Sequence, residues 1–172
     1  MPYSFTSFGM EFYLQKLEYL RAELRVVGQS LGDAAGISRD WHDNFEYEDA
    51  RRRVEMLGKR VAEAEEVLKE ASVVEPDTTG VQAAIGSTVE CYVGEDLKEY
   101  TIGGFGETFP SEGLISYLSP VGSALLGTKP GDELELSFGG KVVDCEIAAV
   151  KSRTARYDNI IEKLKKCLKT KS

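Results

Sequence analysis

The sequence predicts a two-domain α+β protein: an N-terminal antiparallel coiled-coil hairpin followed by a small domain of mostly antiparallel strands. Three observations carry this reading. Two apolar heptad seams of similar length lie in the first half of the chain, a proline- and glycine-containing break follows, and the apolar period beyond it becomes that of strands.

The first seam is Tyr13, Leu17, Leu20, Leu24, Val27 and Leu31, spaced 4, 3, 4, 3, 4. The second is Tyr47, Ala50, Val54, Leu57, Val61, Ala64, Leu68 and Ala71, spaced 3, 4, 3, 4, 3, 4, 3. Each is the buried stripe of a heptad repeat, and two such stripes on one short tether bury each other by folding back. The turn is expected near Ile37 to Asn44. Thr6 or Ser7 is the expected N-cap of the first helix, and Pro76 the expected end of the second. A helix of about 26 residues rises roughly 40 Å, so the loop stands at the far end of the hairpin. Gly28, Gly32 and Gly36 recur near that end. Either they let the helices pack closely, or they soften the distal end, since each costs about 1 kcal/mol of helix propensity relative to alanine.

Beyond the break, Thr88 to Val93, Lys98 to Gly103, Leu114 to Tyr117, Leu134 to Phe138 and Val142 to Val150 read as strands, with Gly139-Gly140 as a tight turn. Ser119-Pro120 sets a cap before a first-turn proline, and Gly127 closes the short helix that follows. Ala155 to Leu168 reads as a terminal helix with Ile160, Ile161, Leu164 and Leu168 on one side. The expected organisation is residues 1–76 for the hairpin with its tip at 37–47, a linker at 77–84, a second domain at 85–151 and a basic helical tail at 152–172.

Hydrophobic residues make up 42% of the 172, a globular composition. No apolar run approaches the roughly 18 residues of a membrane span, and Met1 to Met10 lacks a basic segment followed by an apolar one, so a cytoplasmic protein is expected. The cysteines Cys91, Cys145 and Cys167 form no CxxC pair, and Cys91 and Cys145 fall in strands where burial is expected. His42 is the one histidine, which excludes a His-pair metal site. The net charge of −8 argues against a protein that coats nucleic acid.

The expected tip is acidic: Asp40, Asp43, Glu46, Glu48 and Asp49 alternate with Trp41, Phe45 and Tyr47. A charge run is often only a solvated face. Here it sits on a loop too small to bury Trp41 and Phe45, which suggests a partner surface. Asp40 and Asp43 stand three apart at a helix entry, and two carboxylates suit a hard cation such as Mg²⁺. Two ligands alone hold it weakly, so the metal would be shared with another macromolecule and not bound stably by this chain. Arg51, Arg52 and Arg53 follow, either as a solvated face or as a contact to RNA phosphate or to a partner's acids.

Asp40-Trp41-His42-Asp43-Asn44-Phe45-Glu46-Tyr47, followed by Ala50-Arg51, resembles the tip signature D-L-x-E-N-x-E-Y-x-x-A-(R/K) of the GreA/GreB family of bacterial transcription elongation factors. Gly113 to Gly127, which contains Ser119-Pro120-Val121-Gly122-Ser123-Ala124-Leu125-Leu126-Gly127, resembles that family's I-S-x-x-S-P-x-G-x-A-L-L-G block, and Lys129-Pro130-Gly131-Asp132-Glu133 its K-x-G-D-E turn. The similarity covers about residues 5 to 150. It implies an FKBP-like second domain that docks on the rim of the secondary channel of RNA polymerase through Ser119, Pro120 and Gly122. It also implies DNA binding as a family attribute and a monomeric accessory factor rather than an enzyme. Asp40 and Asp43 then help hold the second catalytic Mg²⁺ of the polymerase, which cleaves its own backtracked RNA at the 3′ end. Asp43 stands where the family has glutamate, Trp41 where it has leucine, His42 where it has a small polar residue, and Phe45 where it has a small residue. A paralogue that occupies the channel without stimulating cleavage, and an adaptor whose basic tail recruits another molecule, are the competing readings.

Overall fold

A computed structural model describes residues 2–37, 44–76, 78–138, 140–152 and 155–169, with side chains over 2–32, 47–76, 78–137, 140–152 and 156–166. The chain forms two compact units, Met1–Tyr3 with Glu11–Ala71, and Ser4–Met10 with Ser72–Ser172.

The first unit is the helical hairpin. Helix α1 spans Ser7–Ile37 and helix α2 spans Asn44–Lys69. The heptad stripes meet as expected. Leu17, Leu20, Leu57, Val61 and Ala64 are buried against one another, and Tyr13, Leu24, Val27 and Leu68 pack at their margin. Arg21 bridges the helices to Glu65 at 2.7 Å. Both side chains are more than two-fifths exposed, so the pair adds little beside the apolar seam. Gly28 and Gly32 face open space: a Cβ at either would meet nothing within 4 Å. Close packing is therefore not their role. The side chains around Gly36 lie outside the described residues.

Thr6 caps α1, its Oγ1 accepting the Gly9 amide at 3.1 Å. The expected end of α2 is corrected. The helix stops at Lys69, well before Pro76, and Ala71 leaves the heptad seam to join strand β2, Ala71–Val73, which pairs with strand β1, Tyr3–Phe5. The Tyr3 amide donates to the Glu70 carbonyl at 2.9 Å and the Val74 amide to the Phe5 carbonyl at 2.7 Å. Strand hydrogen bonds replace helical ones there, and β-branched Val73 and Val74 favour the exchange.

The second unit holds a five-stranded sheet in the order β5-β4-β3-β7-β6. Its strands are β3 Thr88–Val93, β4 Asp96–Gly103, β5 Leu114–Ser116, β6 Glu133–Phe138 and β7 Lys141–Lys151. All five fall within a residue or two of their expected positions. Three pairings are antiparallel and β4–β5 is parallel. The β6–β7 hairpin closes with Phe138 opposite Lys141, and Gly140 supplies a φ of 87°. One face carries the core: Val89, Cys91, Ile102, Leu136, Cys145, Ile147 and Val150, packed with Leu125 of helix α3, Pro120–Leu125. A second cluster joins Leu114 to Tyr157, Ile160 and Ile161 of helix α4, Ala155–Lys169, with Phe8 and Phe109 at its margin.

Candidate functional site

The expected tip is framed by the end of α1 at Ile37 and the start of α2 at Asn44. Asp40, Trp41, His42 and Asp43 lie outside the described residues, as do the side chains of Phe45 and Glu46. The hairpin that leads to them loosens along its length. Leu17 is 3% exposed and Leu57 6%, whereas Leu31, Tyr47, Ala50 and Val54 near the far end are only partly buried. Just past the tip, Arg51, Arg52 and Arg53 are all exposed. Arg52 reaches Glu48 at 3.8 Å along the helix. At that exposure and distance the pair leaves the guanidinium available to an anion.

The second expected surface is fully described. Ser119 caps α3: its Oγ accepts the Gly122 amide at 3.0 Å and donates to the Ser116 carbonyl at 2.7 Å. Both uses of the hydroxyl are internal, so Ser119 shapes the turn. Gly122 is buried, and a Cβ there would fall 2.1 Å from the Ser116 carbonyl oxygen. Its lack of a side chain is what lets the helix start against β5. Pro120, by contrast, is exposed. Two residues that sequence reasoning passed over flank it: Leu118 is 53% exposed and Leu126 41%. Both sit in the Gly113 to Gly127 block, where an apolar residue reads as core. Only the register of the turn shows that Leu125 points in and Leu126 out.

Among the described residues no group of three or more His, Cys, Asp or Glu is placed to hold a metal ion. Cys91 and Cys145 are buried free thiols. Burial, then the neighbouring Cys145, pushes the Cys91 thiol up to about 12. Burial likewise raises that of Cys145. Neither is a nucleophile at neutral pH. Among the described residues no helix is long and apolar enough to cross a membrane.

Two long helices packed along a heptad seam in one unit, and a small mixed sheet with an exposed capped turn in the other, define a two-domain α+β protein. Residues 78–152 match the domain described as "Transcription elongation factor, GreA/GreB, C-term". The chain is 39% identical over 145 residues to transcription elongation factor GreA of Nautilia profundicola, a match that covers 83% of this chain and 90% of that one. It is 33% identical to GreA of Thermoanaerobacter pseudethanolicus, over 87% of this chain and 98% of that one. Among solved structures it is similar to GreA factor homolog 1 of Thermus thermophilus, at 25% identity and a TM-score of 0.43, over 87% of this chain and 99% of that one. The chain belongs to the GreA/GreB family of transcription elongation factors.

Proposed function

We propose that this chain binds bacterial RNA polymerase in the cytoplasm as a monomer, inserts its hairpin through the secondary channel and stimulates cleavage of backtracked nascent RNA. The observation that carries this is the pairing of two long heptad helices on either side of the sequence segment that carries Asp40 and Asp43, in a chain 39% identical to a GreA over 83% of its length. At about 1.5 Å per residue, the 31 residues of α1 rise roughly 45 Å, a reach suited to a buried active centre.

Each part then has a task. The second unit, FKBP-like in this reading, docks at the channel rim through the turn that Ser119 and Gly122 shape, with Pro120, Leu118 and Leu126 offering the exposed contacts. Asp40 and Asp43 would hold the second Mg²⁺ of the polymerase as hard oxygen ligands, with the polymerase completing the set. That ion, when bound, stabilises attacking and leaving oxygens. Arg51, Arg52 and Arg53 attract the phosphates of the RNA 3′ end. The chain supplies positioning and charge, and the polymerase performs the chemistry.

A second reading is favoured by one observation, the substitutions at the tip. Asp43 is one methylene shorter than the glutamate of the family signature, and Trp41 and Phe45 are bulkier than its residues. A channel regulator that inhibits or retunes the polymerase without cleavage would tolerate them. A stalled, backtracked elongation complex incubated with the protein separates the two. Shortened RNA supports the cleavage reading, and inhibition with intact RNA supports the other.

A further inference from the structure

We propose that helix α4 is a strap that locks the first turn of the hairpin helix α1 into the second unit. The family match ends at residue 152, so α4 lies beyond it. The sequence gives this basic segment an apolar side, and the structure shows what that side covers: Tyr157 is 3%, Ile160 2% and Ile161 7% exposed, packed with Leu114 and Phe8.

The centre of the lock is Glu107, a carboxylate only 2% exposed. It gathers three donors, one from its own turn and two from distant stretches of chain. The Thr6 hydroxyl makes a short hydrogen bond to Oε1, the Gly104 amide donates to Oε2 at 2.7 Å, and the Tyr157 hydroxyl donates to Oε2 at 3.2 Å. A buried carboxylate is stable only while such donors are present. Thr6 is also the cap of α1, so the same residue ends the helix and ties it to Glu107. A Cβ at Gly9 would fall 2.9 Å from Glu107 Oε1, so the first turn lies directly against the carboxylate.

Helix α4 closes this arrangement on its outer side. Lys165 stands 5.0 Å from the centre of the Phe8 ring, Arg156 pairs with Glu99, and Lys163 pairs with Glu112 at 2.7 Å. These partly exposed ion pairs set the register of α4, while the buried Tyr157, Ile160 and Ile161 hold it down. Residues 7–10, the first turn of α1, belong to the same compact unit as α4. The strap thus decides how firmly that turn is held within the second unit. Docked, it keeps residues 6–10 ordered; lifted, it exposes Phe8 and leaves Glu107 short of a donor.

Hydrogen exchange by mass spectrometry on the full-length chain tests this, comparing wild type with Ile160→Lys/Ile161→Lys and with Tyr157→Phe. The expected result for the double variant is exchange at least about tenfold faster at Gly9, Met10 and 104–107, with β3 and β7 unchanged. Unchanged exchange at Gly9 and Met10 while α4 itself exchanges freely would overturn the proposal, because α4 would then hold nothing. A uniform rise that includes β3 and β7 would also overturn it, since α4 would be a general part of the core. Should the double variant fail to fold, Tyr157→Phe decides. It keeps the ring and removes only the hydroxyl, so faster exchange confined to 104–107 and the first turn of α1 supports the strap, and no change overturns it.

Discussion

At Asp40 and Asp43 a carboxylate is needed only if the tip shares a metal. Asp40→Ala and Asp43→Ala should each reduce stimulated RNA cleavage by on the order of 100-fold, while competition for the polymerase is nearly unchanged, because a misplaced ligand costs reaction geometry rather than docking area. Gel analysis of backtracked complexes measures this, and equal cleavage by variant and wild type would exclude the metal-sharing role. Asp43→Glu restores the family's methylene and should raise cleavage if reach is limiting. The cysteines make a different residue-scale case. Neither Cys91 nor Cys145 should be labelled by a thiol reagent at neutral pH in the folded protein, since both are buried and their thiols are held protonated. The same shift has a consequence for stability. An unfolded Cys91 ionises near its ordinary value of 9.0, whereas the folded thiol keeps its proton to about 12. The unfolded state therefore binds fewer protons across that window. This contribution is complete below pH 9 and is lost as pH rises towards 12, so the denaturant midpoint should fall over that range and fall less in Cys91→Ala.

At the scale of single elements, α1 and α3 make opposite uses of glycine. Gly28 and Gly32 have open space around their Cβ positions, so Gly28→Ala and Gly32→Ala should each stabilise the hairpin by about 0.5–1 kcal/mol. A chemical melt followed by helical circular dichroism checks this, and a loss of stability would show a contact the geometry does not contain. If softness near the tip serves insertion into a channel, the same variants should also slow association with the polymerase. In α3 the outcome reverses. Gly122→Ala pushes a methyl group towards the Ser116 carbonyl and should cost about 1–3 kcal/mol, as overpacking does. Ser119→Ala removes one cap and should cost about 1 kcal/mol. The two variants rank in that order if the turn is built as described, and thermal melts at one pH read it directly.

For the molecule as a whole, the proposed function assigns docking to the second unit and the tip to the first, and the two tasks can be tested apart. Leu118→Asp or Leu126→Asp changes an exposed side chain beside the capped turn and should leave the melting temperature within a degree or two. Either should still weaken competition with another channel-binding factor by roughly tenfold if this face meets the polymerase, since an apolar interface residue contributes about 1–2 kcal/mol. A variant that binds as wild type would move the docking surface elsewhere, with the hairpin's role untouched.

The sequence by itself determined the elements whose signal is periodic. Both helices, their shared seam, the five strands and the Ser119 cap are legible because alternate burial within one segment leaves a local apolar pattern. The acidic tip is expected from the break between two seams, and Asp40 to Asp43 lie outside the described residues. Other features were decided only by tertiary structure. Strand β1 is three residues long, and α2 gives way to β2 at Ala71 because β1 supplies the hydrogen bonds, not because of any local breaker. Glu107 is buried because Thr6 and Tyr157, 101 and 50 residues away in sequence, bring it donors. The apolar side of α4 was visible, but not what it covers. A periodic pattern shows that a face must be buried. Which distant segment buries it depends on shape and hydrogen-bond partners that exist only once the chain has closed on itself.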